Sequence, residues 1–96
     1  MSEYMSFINR INKHYILYAE DYSNNRFYIS NTNPVMWTNV SIEAKPYLTS
    51  RNAEFDIVGN YDNYRIIRQM LDNGTIYKVY LAEVTNGEEK GRLEIL

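Results

Sequence analysis

Apolar and polar positions recur in different rhythms along this chain, and each rhythm predicts a different element. Residues 3–12 place Tyr4, Ile8 and Ile11 at helical spacing, with Phe7 beside them and Glu3, Asn9, Arg10 and Asn12 facing away. Ser2 can cap the helix this predicts. Tyr15-Ile16-Leu17-Tyr18-Ala19 is dense in aromatic and branched residues and predicts a strand. Asp21 to Asn25 supplies a turn, and Arg26 to Ser30 returns as a second strand. Asn31-Thr32-Asn33-Pro34 breaks the pattern. Val35-Met36-Trp37 fits either a short strand or a buried loop.

Thr38 or Asn39 can cap one helical turn through Ile42 and Ala44, which Pro46 ends. Thr49 or Ser50 can cap a further helix holding Ala53, Phe55 (or Glu54), Ile57 and Val58. Gly59 then falls just past its end, where a left-handed backbone is needed. Tyr64 to Leu71 reads as a strand, and Asp72-Asn73-Gly74 as a hairpin turn, because both Asn and Gly tolerate positive φ. Thr75 to Val84 is the best strand, apolar on both faces and therefore central. Asn86-Gly87 opens a second turn, and Arg92 to Leu96 closes the sheet. The expected class is α+β in one domain, residues 1–96. An antiparallel sheet, made of an N-terminal hairpin and a C-terminal three-stranded meander, is covered by short helices.

Composition narrows the function classes. The chain is 96 residues long and 45% hydrophobic, which suits a single globular domain with a small core. A deep substrate cavity would displace that core, which counts mildly against an enzyme. The net charge of −2 and the interspersed Lys/Arg and Asp/Glu offer no broad positive surface for nucleic-acid phosphate. There is no cysteine, hence no disulfide framework, thiolate nucleophile or Cys-based zinc site. The start lacks a signal-peptide pattern and no apolar run is long enough to cross a membrane, so a cytoplasmic protein is expected. Asn39-Val40-Ser41 and Asn73-Gly74-Thr75 match the glycosylation triplet and are read as chance.

Candidate chemistry is sparse. His14 is the only histidine and is placed at the end of the first helix, where a partly charged imidazole suits the dipole. No serine has a nucleophile-elbow context. Asp21, Asp56, Asp62, Asp72, Glu88 and Glu89 fall mostly in turns or on solvated faces, without calcium-loop spacing. No catalytic, cofactor-binding or metal-binding residue is assigned, and no cofactor is expected. The excess lies in ten tyrosines. Tyr15, Tyr18, Tyr28, Tyr77 and Tyr80 belong to predicted strands, as core or sheet-face residues. Tyr22, Tyr61 and Tyr64 sit in or beside turns, where exposed aromatics can anchor a partner. With Asp62, Glu88 and Glu89 they form the candidate partner-binding set. Tyr64, Arg65, Arg68 and Lys78 could make a basic-aromatic strip for single-stranded nucleic acid. On a strand, however, Arg65 and Arg68 point to opposite faces, and edge charges that discourage aggregation are the plainer reading.

Trp37-Thr38, Ala44-Lys45, Tyr47 and Ala53-Glu54, following a short aromatic hairpin, resemble the pattern of small uncharacterised proteins encoded by bacteriophages and prophages. Pro46 departs from the run of polar residues expected there. The resemblance covers about half the chain and implies a mobile-element origin, with no particular chemistry. The expected function is a non-catalytic protein-binding module that occupies a surface on a host or bacterial protein, such as an inhibitor of a defence or nucleic-acid-handling enzyme. The alternatives are a nucleic-acid- or ligand-binding module and a structural, self-assembling component.

Overall fold

The computed structural model describes residues 13–96, so the helix predicted over 3–12 lies outside the described residues. Five strands form one antiparallel sheet: β1 (Lys13–Glu20), β2 (Arg26–Thr32), β3 (Val35–Thr38), β4 (Lys78–Thr85) and β5 (Glu88–Glu94). Their order across the sheet is β3-β2-β1-β4-β5. A short 3-10 turn (Ser41–Glu43) and two helices, α1 (Ser50–Val58) and α2 (Tyr61–Asp72), intervene between β3 and β4. The class is α+β. The three-stranded meander is N-terminal, β1-β2-β3, and the C-terminal pair β4-β5 is a hairpin, which reverses the expected arrangement.

The reversal has two causes: Val35–Thr38 pairs with β2 as a third strand, and residues 64–71 are helical. Asn60 caps α2 by accepting from the Asn63 amide, and Asn63 and Ile67 are its buried residues. Met70 and Leu71 pack against the same core. The inward stripe thus has helical spacing, disguised because a polar Asn63 holds its first position. Asn63 is satisfied there by donating to the Asp56 carbonyl at 2.9 Å. Asn73-Gly74 ends the helix instead of turning a hairpin. Gly74 takes φ +82°, and the Ile76 amide reaches back to the Met70 carbonyl at 3.2 Å. A glycine just past a helix and a glycine in a hairpin turn need the same left-handed backbone, so the dipeptide alone does not separate them.

Other expectations hold or shift locally. Thr49 caps α1 by accepting from Asn52 N. Asn86 and Gly87 turn the β4–β5 hairpin with φ 52° and 80°. β4 lies inside the sheet between β1 and β5, although β1 is the central strand. Tyr77 precedes β4 rather than lying in it. His14 belongs to β1, opposite Val84, not to a helix end. Gly59 is not left-handed (φ −90°); its missing side chain leaves room for the Phe55 ring instead.

One face of the sheet carries Leu17, Ala19, Ile29, Val79 and Leu81, and α1 and α2 close it with Ala53, Ile57 and Ile67. This is the main apolar core. Each of these side chains removes about 1.5–3 kcal/mol worth of apolar surface from water when fully buried, alanine less. The opposite face carries Ile16, Tyr18, Tyr80 and Ala82, with Ala44 laid over its margin. No helix among the described residues is long and apolar enough to cross a membrane.

Candidate functional site

Both helices bury one stripe against the sheet; α1 also leaves apolar residues on its outer side, whereas the outer side of α2 is polar apart from its tyrosines. On α1, Ala53 and Ile57 point inward, while Phe55 is 68% exposed and Val58 is 43% exposed. Tyr61, at the start of α2, is 77% exposed, and Leu48, just before α1, is 59% exposed. Exposed apolar residues are ordinary when scattered, but here Phe55 and Val58 line one groove on α1, and Tyr61 opens α2 just after it. Gly59 sets the posture of Phe55. A Cβ at Gly59 would lie 2.6 Å from Phe55 Cδ2 and 2.8 Å from Cε2, so the ring rests directly on the glycine backbone.

Charge flanks this surface on both sides. Arg51, Glu54, Phe55, Val58 and Gly59 line one shallow groove, and Tyr61, Tyr64, Arg65, Arg68 and Asp72 line most of another along α2. Arg68 is held by Asp72, with Nη2 at 2.9 Å from Oδ1 and Nε at 3.1 Å. Neither Arg51 nor Arg65 forms an ion pair with a described residue. Large rings beside uncommitted guanidinium groups are the composition of a binding hot spot.

The six nominated partner-binding residues do not form one site. Tyr61, Asp62 and Tyr64 come together on the first turn of α2. Tyr22 lies in the β1–β2 turn, 68% exposed, with its ring 4.8 Å from that of Tyr77. Glu88 and Glu89 are on β5 and are already engaged: Glu88 with Lys90 at 2.8 Å and Glu89 with Arg26 at 3.2 Å. The basic-aromatic strip is also rearranged. Tyr64, Arg65 and Arg68 share one side of a helix, whereas Lys78 is on β4, paired with Glu94 at 2.6 Å. Sequence reasoning missed Phe55, Arg51 and Leu48 as surface residues. The signal was present, since Ala53 and Ile57 already supply the inward stripe of α1 and leave Phe55 on the other side.

Two further clusters bind side chains to one another. Asp56 on α1 accepts from Thr32 Oγ1 at 2.7 Å, from Lys45 Nζ at 3.3 Å and from the Tyr47 hydroxyl. Burial works against its charged form, but the bonds from Tyr47 and Thr32 and the charge of Lys45 outweigh it and hold the carboxyl below its ordinary range. The cluster ties the end of β2 and the 45–47 segment to α1. On the second sheet face, Tyr28, Tyr18 and Tyr80 stand in register across β2, β1 and β4, with ring centroids 5.5 and 5.4 Å apart. Arg26 stacks 4.3 Å above Tyr18 and Arg92 3.9 Å above Tyr80. Both guanidiniums meet Glu20, at 3.4 and 3.0 Å. Among the described residues, no group of three or more His, Asp or Glu side chains is arranged to hold a metal ion.

Comparison with known proteins found no matching family model, no matching curated protein and no matching solved structure.

Proposed function

We propose that the chain is a non-catalytic binding protein that docks on a partner protein through the exposed surface of α1 and α2. The observation that carries this reading is the exposure of Phe55, Val58 and Tyr61, with Arg51 beside the first two and Arg65 beside the third, neither cation ion-paired with a described residue. Leaving such rings exposed does nothing for the fold, and truncating an anchoring aromatic at an interface commonly costs 2 kcal/mol or more of binding. The resemblance of the aromatic hairpin and the following Trp37-Thr38, Ala44-Lys45, Tyr47 and Ala53-Glu54 to phage- and prophage-encoded proteins supports a bacterial protein as partner and the bacterial cytoplasm as setting. An enzyme of defence or nucleic-acid handling is the class we favour. Inhibition by occupancy needs a firm scaffold and an adhesive surface, without a reacting group.

The test is differential capture from a nuclease-treated bacterial lysate. Phe55→Ala combined with Tyr61→Ala should abolish capture of a protein that the wild type retains, while Tyr22→Ala and Glu88→Ala should not. Capture unchanged by the helix double variant contradicts the reading.

A second reading draws on Tyr64, Arg65 and Arg68, which share one side of α2 and could contact nucleic acid. The surrounding acids Asp62 and Asp72 oppose phosphate, and Asp72 already holds Arg68. Oligonucleotide binding that weakens steeply with salt and is lost in Arg65→Ala would favour this reading over protein docking.

A further inference from the structure

The second face of the sheet is concave. Arg26 on β2 and Glu89 on β5 are separated by β1 and β4, yet their side chains meet at 3.2 Å, so the sheet curls and the pair bridges its mouth. Register shifts at Ile29/Asn31 and Glu83/Val84 supply local bends. At the end of the face where β1 starts, a pocket of about 300 Å³ opens, lined by His14, Ile16, Tyr28, Ile42 and Val84 together with Arg26, Ser41, Gly87 and Glu89. That volume lies at the small end of the range for small-molecule sites.

The chemistry of the lining is specific. Ile16, Tyr28, Ile42 and Val84 offer apolar walls. The charges at the edge are matched: Arg26 engages both Glu20 and Glu89. His14 differs from both. It is 4% exposed, lines the pocket, and makes no hydrogen bond with any described residue. No buried side-chain nitrogen or oxygen among the described residues lacks a partner, so the ring nitrogens of His14 stay open to water at the pocket, where an occupant can take the place of that water. Burial also lowers its pKa, so at neutral pH the ring is uncharged and can both donate and accept.

We propose that this pocket binds a compact, uncharged aromatic molecule bearing one hydroxyl group, with the hydroxyl on His14 and the ring against Tyr28, Ile16 and Val84. A charged ligand would find Arg26 and Glu89 already paired, and a wholly apolar one would displace water from His14 without replacing its hydrogen bonds. The site lies on the sheet face opposite α1 and α2, so it is independent of the docking surface.

Because His14 is the sole histidine, its ring NMR signals report on this pocket alone. The experiment titrates the full chain with p-cresol and, separately, with toluene. A saturable shift of the His14 ring signals is expected, with a Kd of about 1 mM or below for p-cresol and binding at least roughly tenfold weaker for toluene. Ile42→Trp, at a rim position that is 47% exposed and tolerant of substitution, should close the pocket and remove the shift. No saturable shift with p-cresol, equal binding of toluene, or a p-cresol shift that survives in folded Ile42→Trp each overturns the proposal.

Discussion

The two faces of the sheet solve the same burial problem differently. The helix-covered face is sealed by aliphatic side chains, Leu17, Ile29, Val79 and Leu81 against Ile57 and Ile67, all but fully buried. The concave face is filled by the row Tyr28, Tyr18 and Tyr80 and roofed by Arg26 and Arg92, which stack on the rings and pair with Glu20. Tyr18 reaches zero exposure, as Leu17 beside it does, so both solutions exclude water. The first depends on volume and the second on directed contacts. Stability should therefore respond to lost methylenes on one face and to lost polar partners on the other.

The largest expected effect is a cavity in the helix-covered core. Ile57→Ala or Ile67→Ala should cost about 2–5 kcal/mol in urea unfolding, because neither site can collapse between helix and sheet. A loss below about 1 kcal/mol would show that α1 and α2 are loosely seated. Next is the end of α2. Gly74→Ala should cost about 1 kcal/mol or more, and wholly through the backbone, since nothing lies within 4 Å of the added Cβ. On the concave face, Tyr18→Phe keeps the stacked ring and removes only the acceptor of Arg92 Nη1, at 3.1 Å. About 1 kcal/mol is expected by the same measurement.

A smaller effect separates the faces by pH. Burial lowers the pKa of His14 from its ordinary 6.5. The unfolded chain then takes up a proton at higher pH than the folded one. Stability is complete above about pH 6.5 and declines as pH falls from there toward the folded-state pKa. Urea midpoints should fall between about pH 7.5 and pH 5.5, and His14→Phe should flatten that decline. Asp56 is also held below its ordinary 3.8, so the stability it contributes is present above that value and lost only in stronger acid.

How much was legible in the sequence depended on whether one signal had one meaning. The aromatic, branched run Tyr15–Ala19 and the Asn86-Gly87 turn each fit a single element, and the structure has that element there. Asn73-Gly74 fits two, and the choice of hairpin turned α2 into a strand. That error split Arg65 from Arg68 and hid the surface they share. Asn63 concealed the helical period because its burial depends on the Asp56 carbonyl, a tertiary contact that local patterning does not carry. The pairing of Glu89 with Arg26 was likewise invisible, since 63 positions separate them and only the curl of the sheet joins them.

The smallest effect on the fold should accompany the largest effect on function. Phe55 and Tyr61 lie outside both cores, so replacing both by alanine should change unfolding stability by no more than about 0.5 kcal/mol per site. The most direct test measures the affinity of this double variant for the captured partner by calorimetry, alongside its urea unfolding. Unchanged unfolding with binding weakened about thirtyfold or more is the predicted result. Undiminished affinity, or lost affinity accompanied by a destabilisation of several kcal/mol, would contradict the assignment of the exposed helical surface as the docking site.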